Sequence, residues 1–86
     1  MIFDLESDGL LLNEVTKIHV LAYSGPNGVK YTHDYDEMRR VLLRAKVLIG
    51  HNIILYDIPV IEKILGIKIK AQLIDTLALS WYLNHK

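Results

Sequence analysis

The stretch Met1-Ile2-Phe3-Asp4-Leu5-Glu6 decides the fold of this 86-residue chain. Apolar side chains flank and separate the two acids, a pattern that indicates a buried strand. Because residues i and i+2 of a strand point to the same face, Asp4 and Glu6 would project together while Phe3 and Leu5 turn to the core. Two carboxylates that face one way repel each other unless a cation lies between them. Such hard oxygen ligands suit Mg²⁺ or Mn²⁺, so the strand predicts one side of a metal site.

A third acid closes the run His51-Asn52-Ile53-Ile54-Leu55-Tyr56-Asp57. This run follows the short apolar segment Val47-Leu48-Ile49, which we predict to be a strand buried on both faces of a sheet. A helix that begins near Pro59 would then place Asp57 next to Asp4 and Glu6. The three carboxylates are therefore predicted to share one metal site.

Composition limits the other possibilities. Apolar residues make up 51% of the chain, which is enough for a packed core. With no cysteine, neither a disulfide framework nor a cysteine-ligated zinc site can form. We find no signal peptide and no apolar run of transmembrane length, so we expect no membrane association. Ten acids balance ten bases, and the small basic groups are best interpreted as solvated surface.

Turn residues and hydrophobic periodicity predict the element order β-β-β-α-β-α-(β)-α in one α/β domain, residues 1–86. The sheet should be mixed, with the first strand central and the fourth strand added in parallel through a helical crossover. The predicted strands are residues 1–6, 15–23, 29–33, 47–49 and 73–74, and the predicted helices run from Asp34 or Asp36 to about Lys46, from the Asn52–Tyr56 region to Gly66, and from Thr76 to about Asn84.

The two acidic segments resemble the first and second motifs of the DEDD 3′–5′ exonucleases. The second motif of that family is Asn, two or three residues, an aromatic residue and Asp, which Asn52-Ile53-Ile54-Leu55-Tyr56-Asp57 matches. Ile74-Asp75-Thr76-Leu77 is also similar. The resemblance is closest to the proofreading domain of family-A DNA polymerases, in particular the phage replicative branch, and it implies a ribonuclease-H-like fold.

The resemblance implies roles for individual positions. Asp4, Glu6 and Asp57 would be catalytic carboxylates that bind two Mg²⁺ or Mn²⁺ ions, and water would attack the terminal phosphodiester of a single-stranded DNA 3′ end. Four more positions would contact that 3′ end: Ser7, Leu10, Asn52 and Tyr56. The implied setting is DNA replication in the cytoplasm of a bacterial or phage-infected cell, with a polymerase domain as partner.

Simpler roles stay open for these residues. Asn52 is also typical of a turn or cap, Ser7 of a turn, and Leu10 and Tyr56 of a packed core. Asp57 could be an acid at a helix N-terminus. We interpret Asp75 as a helix cap rather than a metal ligand, and His51 as a turn residue.

The sequence departs from the family in one respect. The family's third motif supplies a fourth acid and a Tyr or His, and no such segment occurs up to Lys86. We therefore expect the chain to be the N-terminal part of an exonuclease domain, with weak or no activity alone. We also expect an exposed apolar surface and some self-association. The alternatives are a non-catalytic ribonuclease-H-like module that binds nucleic acid or protein, and a purely structural fragment with solvated acids.

Overall fold

The computed structural model describes residues 1–9 and 12–79, and they form a small mixed α/β protein. The predicted element order is confirmed through the fifth strand, and residues 76–79 are helical. The remainder of the predicted last helix lies outside the described residues. The regular elements are β1 (Phe3–Ser7), β2 (Ile18–Gly25), β3 (Gly28–Thr32), α1 (Tyr35–Arg44), β4 (Val47–Gly50), α2 (Ile58–Leu65) and β5 (Gln72–Asp75), with a short 3₁₀ helix (Leu12–Glu14) and a π-helix (Ile53–Asp57).

The strands form an antiparallel set and a parallel pair. β2 pairs antiparallel with both β1 and β3, and β4 pairs parallel with β5. An isolated parallel bridge between Ile2 and Ile49 joins the two sets. Two hydrogen bonds support the bridge: the Met1 ammonium donates to the Val47 carbonyl at 2.7 Å, and the Ile49 N–H donates to the Met1 carbonyl at 2.9 Å. β1 therefore lies between β2 and β4, as the sequence predicted.

Alternation along β1 divides the strand between core and surface. Phe3 and Leu5 are buried, whereas Asp4 and Glu6 are exposed. The buried side chains of β1 join one apolar core with residues from the helices and the other strands. Its fully buried large members are Val15, Leu21, Met38, Leu42, Leu48, Ile53, Val60 and Ile61. Burial of this core is the main force that holds the acid-bearing strand in place.

Helix boundaries lie where the capping residues of the sequence indicate. The Asp34 side chain accepts a hydrogen bond from the Asp36 N–H at 2.8 Å and so caps α1. Pro59 lies in the first turn of α2. Gly66 ends α2 in the left-handed conformation, at φ 66°, where a side chain would be strained.

Some predicted boundaries and one predicted burial pattern are wrong. β2 begins at Ile18 rather than at residue 15, because the N–H groups of Thr16 and Lys17 bind the Asp8 side chain instead of a neighbouring strand. β4 is not buried on both faces: Leu48 is fully buried, but Ile49 is only half-buried. No helix within residues 1–9 and 12–79 is long and apolar enough to cross a membrane.

Candidate active site

Asp4 and Glu6 project from the same face of β1. Across the strand pair, Asp4 lies opposite Ala22 and Glu6 lies opposite Val20. The pairing register with β2 shifts between Glu6 and Ser7, so the strand pair is irregular directly after the second acid. Asp4 and Glu6 therefore lie between the irregular C-terminal end of β1 and the parallel bridge to β4, which Ile2 forms just before the other end of the strand.

The backbone between β4 and α2 is irregular. Asn52 has φ 59° and ψ 36°, the left-handed conformation that asparagine tolerates better than most residues. A π-helix from Ile53 to Asp57 follows, a rare geometry that occurs frequently at functional sites. Asn52 is therefore a turn residue, while a further role in substrate contact stays a prediction.

Asp75 at the end of β5 holds this irregular backbone. Its Oδ1 accepts the Asn52 N–H at 2.9 Å, and its Oδ2 accepts the Ile54 N–H at 3.0 Å. The same carboxylate accepts the N–H groups of Leu77 and Ala78, at 2.9 and 3.4 Å, and so caps the helical turn 76–79. Burial raises the pKa of Asp75, but the four N–H donors outweigh it and leave the pKa below its ordinary value. The predicted cap is confirmed, and the second task of Asp75 is one that sequence reasoning missed.

Asp57 lies at the end of the π-helix and is only 7% exposed. Burial raises the pKa of this carboxyl, and the charges of Asp4 and then Asp75 raise it further, to about 7. An effect of Asp4 on the pKa of Asp57 requires the two carboxyl groups to lie near each other. The fold therefore brings Asp57 toward Asp4, although 53 positions separate them in the sequence. Glu6 shares the face of Asp4 but is not among the groups that act on Asp57.

The Asp57 carboxylate lacks a protein partner among the described residues. It forms no hydrogen bond at the start of α2, and no Lys, Arg or His of the described chain lies within 4.0 Å of it or of Asp4. No side-chain oxygen in the described part of the chain is both fully buried and unpartnered. The Asp57 oxygens therefore reach the surface while the rest of the side chain is buried. Acids placed together without a basic partner form a donor set that fits a hard divalent cation.

Tyr56 connects this region to the end of β1. Its hydroxyl donates a hydrogen bond to the Gly9 carbonyl and lies 3.0 Å from the Ser7 Oγ. The ring is half-buried and packs against the core. The core role of Tyr56 is thus observed, and Ser7 is brought beside it. Whether either contacts substrate stays a prediction, and Leu10 lies outside the described residues.

An open groove of about 450 Å³ lies beside the turn at Asn52 and the end of β5. Three of its apolar lining residues are substantially exposed: Ile54, Leu55 and Leu77. Asn52 and Asp75 also line it, which places a polar amide and the buried acid at the edge of an apolar surface. His51, next to the groove, is exposed, and its Nδ1 lies 3.0 Å from the Thr76 Oγ1.

Two further findings bear on the site. Within residues 1–9 and 12–79, no group of three His, Asp or Glu side chains is already arranged to hold a metal ion. No protein-family model matches the sequence, and no curated protein is detectably similar to it. The metal ions and the role of Glu6 as a ligand therefore stay predictions.

Proposed function

We propose that this chain is a metal-dependent 3′–5′ exonuclease module of ribonuclease-H-like fold, which removes nucleotides from single-stranded DNA 3′ ends as the proofreading part of a DNA polymerase. One observation carries the proposal. Asp57 lies within electrostatic range of Asp4, and its carboxyl stays near the surface without any basic partner among the described residues. Such a placement is costly for the fold. A bound cation would offset that cost and give the arrangement a use.

The proposal assigns each residue a task. Asp4, Glu6 and Asp57 would hold divalent ions, which supply the Lewis acidity that activates water and stabilises the departing 3′ oxygen. Asp75 holds the Asn52–Ile54 backbone, which leads into the π-helix that carries Asp57. Asn52 and the apolar groove beside it would hold a nucleotide of the single strand, since bases bind to apolar and aromatic surfaces with little sequence preference.

The proposal is tested first by metal binding. Titration with Mn²⁺, followed by calorimetry, should show binding that Asp4→Ala weakens by at least about tenfold, because the substitution removes one charged ligand. Asp36→Ala is the matched control. It removes an exposed acid whose partner is Arg39 and should leave Mn²⁺ affinity unchanged.

Catalysis is tested with a 5′-labelled single strand. Stepwise loss of single nucleotides from the 3′ end, dependent on Mn²⁺ and abolished by Asp4→Ala, would support the exonuclease. Binding of the strand without loss would agree with an exonuclease part of weak or no activity as well as with the non-catalytic nucleic-acid-binding module. Failure of the chain to bind either Mn²⁺ or the strand would refute the proposed function.

A further inference from the structure

Lys63 on α2 binds the segment that follows β1, which we call the post-strand segment (Gly9 and Leu12–Val15). The Lys63 ammonium donates hydrogen bonds to the Leu12 carbonyl at 2.9 Å and to the Val15 carbonyl at 2.8 Å. These bonds join positions 51 and 48 residues apart in the sequence. Lys63 therefore connects two regions that local structure alone would leave separate.

The Tyr56 hydroxyl, which donates a hydrogen bond to the Gly9 carbonyl, holds the other end of the post-strand segment. Its main regular feature is the 3₁₀ helix Leu12–Glu14, a geometry with weaker hydrogen bonds than an α-helix. The Leu12 and Val15 carbonyls accept hydrogen bonds from outside the segment, and the Lys63 ammonium supplies the donors. The side chain of Val15 is 1% exposed and anchors the end of the segment in the core.

The base of the segment is closed by Asp8. Its carboxylate accepts hydrogen bonds from the Thr16 hydroxyl, from the Thr16 N–H at 2.9 Å and from the Lys17 N–H at 3.1 Å. The Thr16 hydroxyl is the largest cause that holds the pKa of Asp8 well below its usual range, followed by these N–H donors. Asp8 thus fixes where the segment starts and stops, whereas Lys63 fixes where it lies relative to α2.

The same helix also carries the candidate site. α2 begins immediately after Asp57, and Lys63 lies six positions further along the chain. β1, which carries Asp4, runs directly into the segment that Lys63 holds. The Lys63 ammonium therefore links α2, which begins after Asp57, to the segment that follows β1.

We propose that Lys63 is a positioning residue that holds the post-strand segment as a wall of the candidate site and so sets its affinity for the single-stranded 3′ end. This inference rests on the proposed function. The Lys63 ammonium is engaged by two carbonyls, so its effect is on strand binding and not on bond cleavage.

The experiment compares three variants by fluorescence anisotropy, with a 5′-fluorescein oligothymidylate in Ca²⁺ so that binding is measured without hydrolysis. Lys63→Met keeps the length and helix propensity of the side chain but loses the donors, and should weaken binding about five- to tenfold. Lys63→Arg keeps a charged donor and should retain most of the affinity. Lys70→Met removes the same charge from an exposed position that forms no ion pair within the described residues, and should change affinity less than about twofold.

Hydrogen exchange on the protein without DNA tests the tether itself. Amides of the post-strand segment should exchange faster in Lys63→Met than in Lys70→Met. Melting temperatures that agree within a few degrees would show that both variants are folded. Unchanged exchange would refute the tether. Faster exchange with DNA affinity equal to that of Lys70→Met would refute the positioning role and leave the proposed function standing. Absence of oligonucleotide binding by the unaltered chain would overturn the proposed function and this inference with it.

Discussion

Replacement of Asp57 by asparagine should stabilise the fold at alkaline pH while it removes a predicted metal ligand. The pKa of Asp57 is about 7 in the folded chain and 3.8 for an ordinary aspartate. The folded state therefore binds the proton more tightly than the unfolded state. Stability falls as the pH rises from about 4 to about 7, and it stays at the lower level above that range.

The size of the effect follows from the same two values. A pKa raised from 3.8 to about 7 corresponds to roughly 4 kcal/mol, at about 1.4 kcal/mol for each tenfold change in the acid constant. Because the Asp57 oxygens reach the surface, solvent screening reduces this to about 2 kcal/mol. The negative charge of Asp57 at the start of α2 interacts favourably with the helix dipole, which stabilises the folded state by about 0.5 kcal/mol and offsets part of this cost. We expect Asp57→Asn to gain about 1.5 kcal/mol at pH 8 and almost nothing at pH 3, where Asp57 is protonated in both the folded and the unfolded state.

Urea unfolding at pH 3 and pH 8, in EDTA to exclude metal, measures the difference between Asp57→Asn and the unaltered chain. Comparison at each pH cancels the titration of all other groups. Asp36→Asn, an exposed acid of α1, is the control and should be nearly neutral at both values. Added Mn²⁺ should then stabilise only chains that keep Asp57. If Asp57→Asn were destabilised at pH 8 in EDTA, the carboxylate would have a favourable partner and the electrostatic reasoning would be wrong.

Two further substitutions test how the site is held. Asp75→Ala removes the acceptor of four partly buried N–H groups and should cost about 1–3 kcal/mol in urea unfolding, since these donors lose their protein partner. A cost below about 0.5 kcal/mol would show that the hydrogen bonds contribute nothing. Gly50→Ala would place a Cβ in steric overlap with Ile53 Cγ2 and 3.1 Å from the Phe3 carbonyl oxygen, so it should destabilise the fold by about 1–3 kcal/mol. At Gly28 an added Cβ meets no atom within 4 Å, so Gly28→Ala tests only the strain of a side chain at φ 119°. Equal melting temperatures for Gly50→Ala and the unaltered chain would contradict this close approach.

Local signals in the sequence predicted most of the elements. Alternation in Phe3-Asp4-Leu5-Glu6 placed the acids on one face of a strand, and Asp34, Pro59 and Gly66 marked the helix ends. These signals are reliable because they depend on neighbours within a few residues. They failed where a distant partner intervened, as at Thr16 and Lys17, whose N–H groups are taken by Asp8.

Contacts between distant segments could not be read in the same way. Nothing in the local sequence shows that Asp75 would bind the Asn52 and Ile54 amides, or that Lys63 would bind the Leu12 and Val15 carbonyls. Each of these contacts joins residues more than 20 positions apart. A side chain has no preference for such a partner until the core has brought the two segments together.

The sequence by itself determined which acids lie on β1 and the order of the strands and helices through β5, because strand alternation and helix caps are short-range effects. Only the tertiary structure decided that Asp57 lies close enough to Asp4 for their charges to interact, and that Asp75 holds the turn at Asn52. The physical reason is that electrostatic coupling depends on distance in space, which packing of the core sets. Spacing along the chain does not.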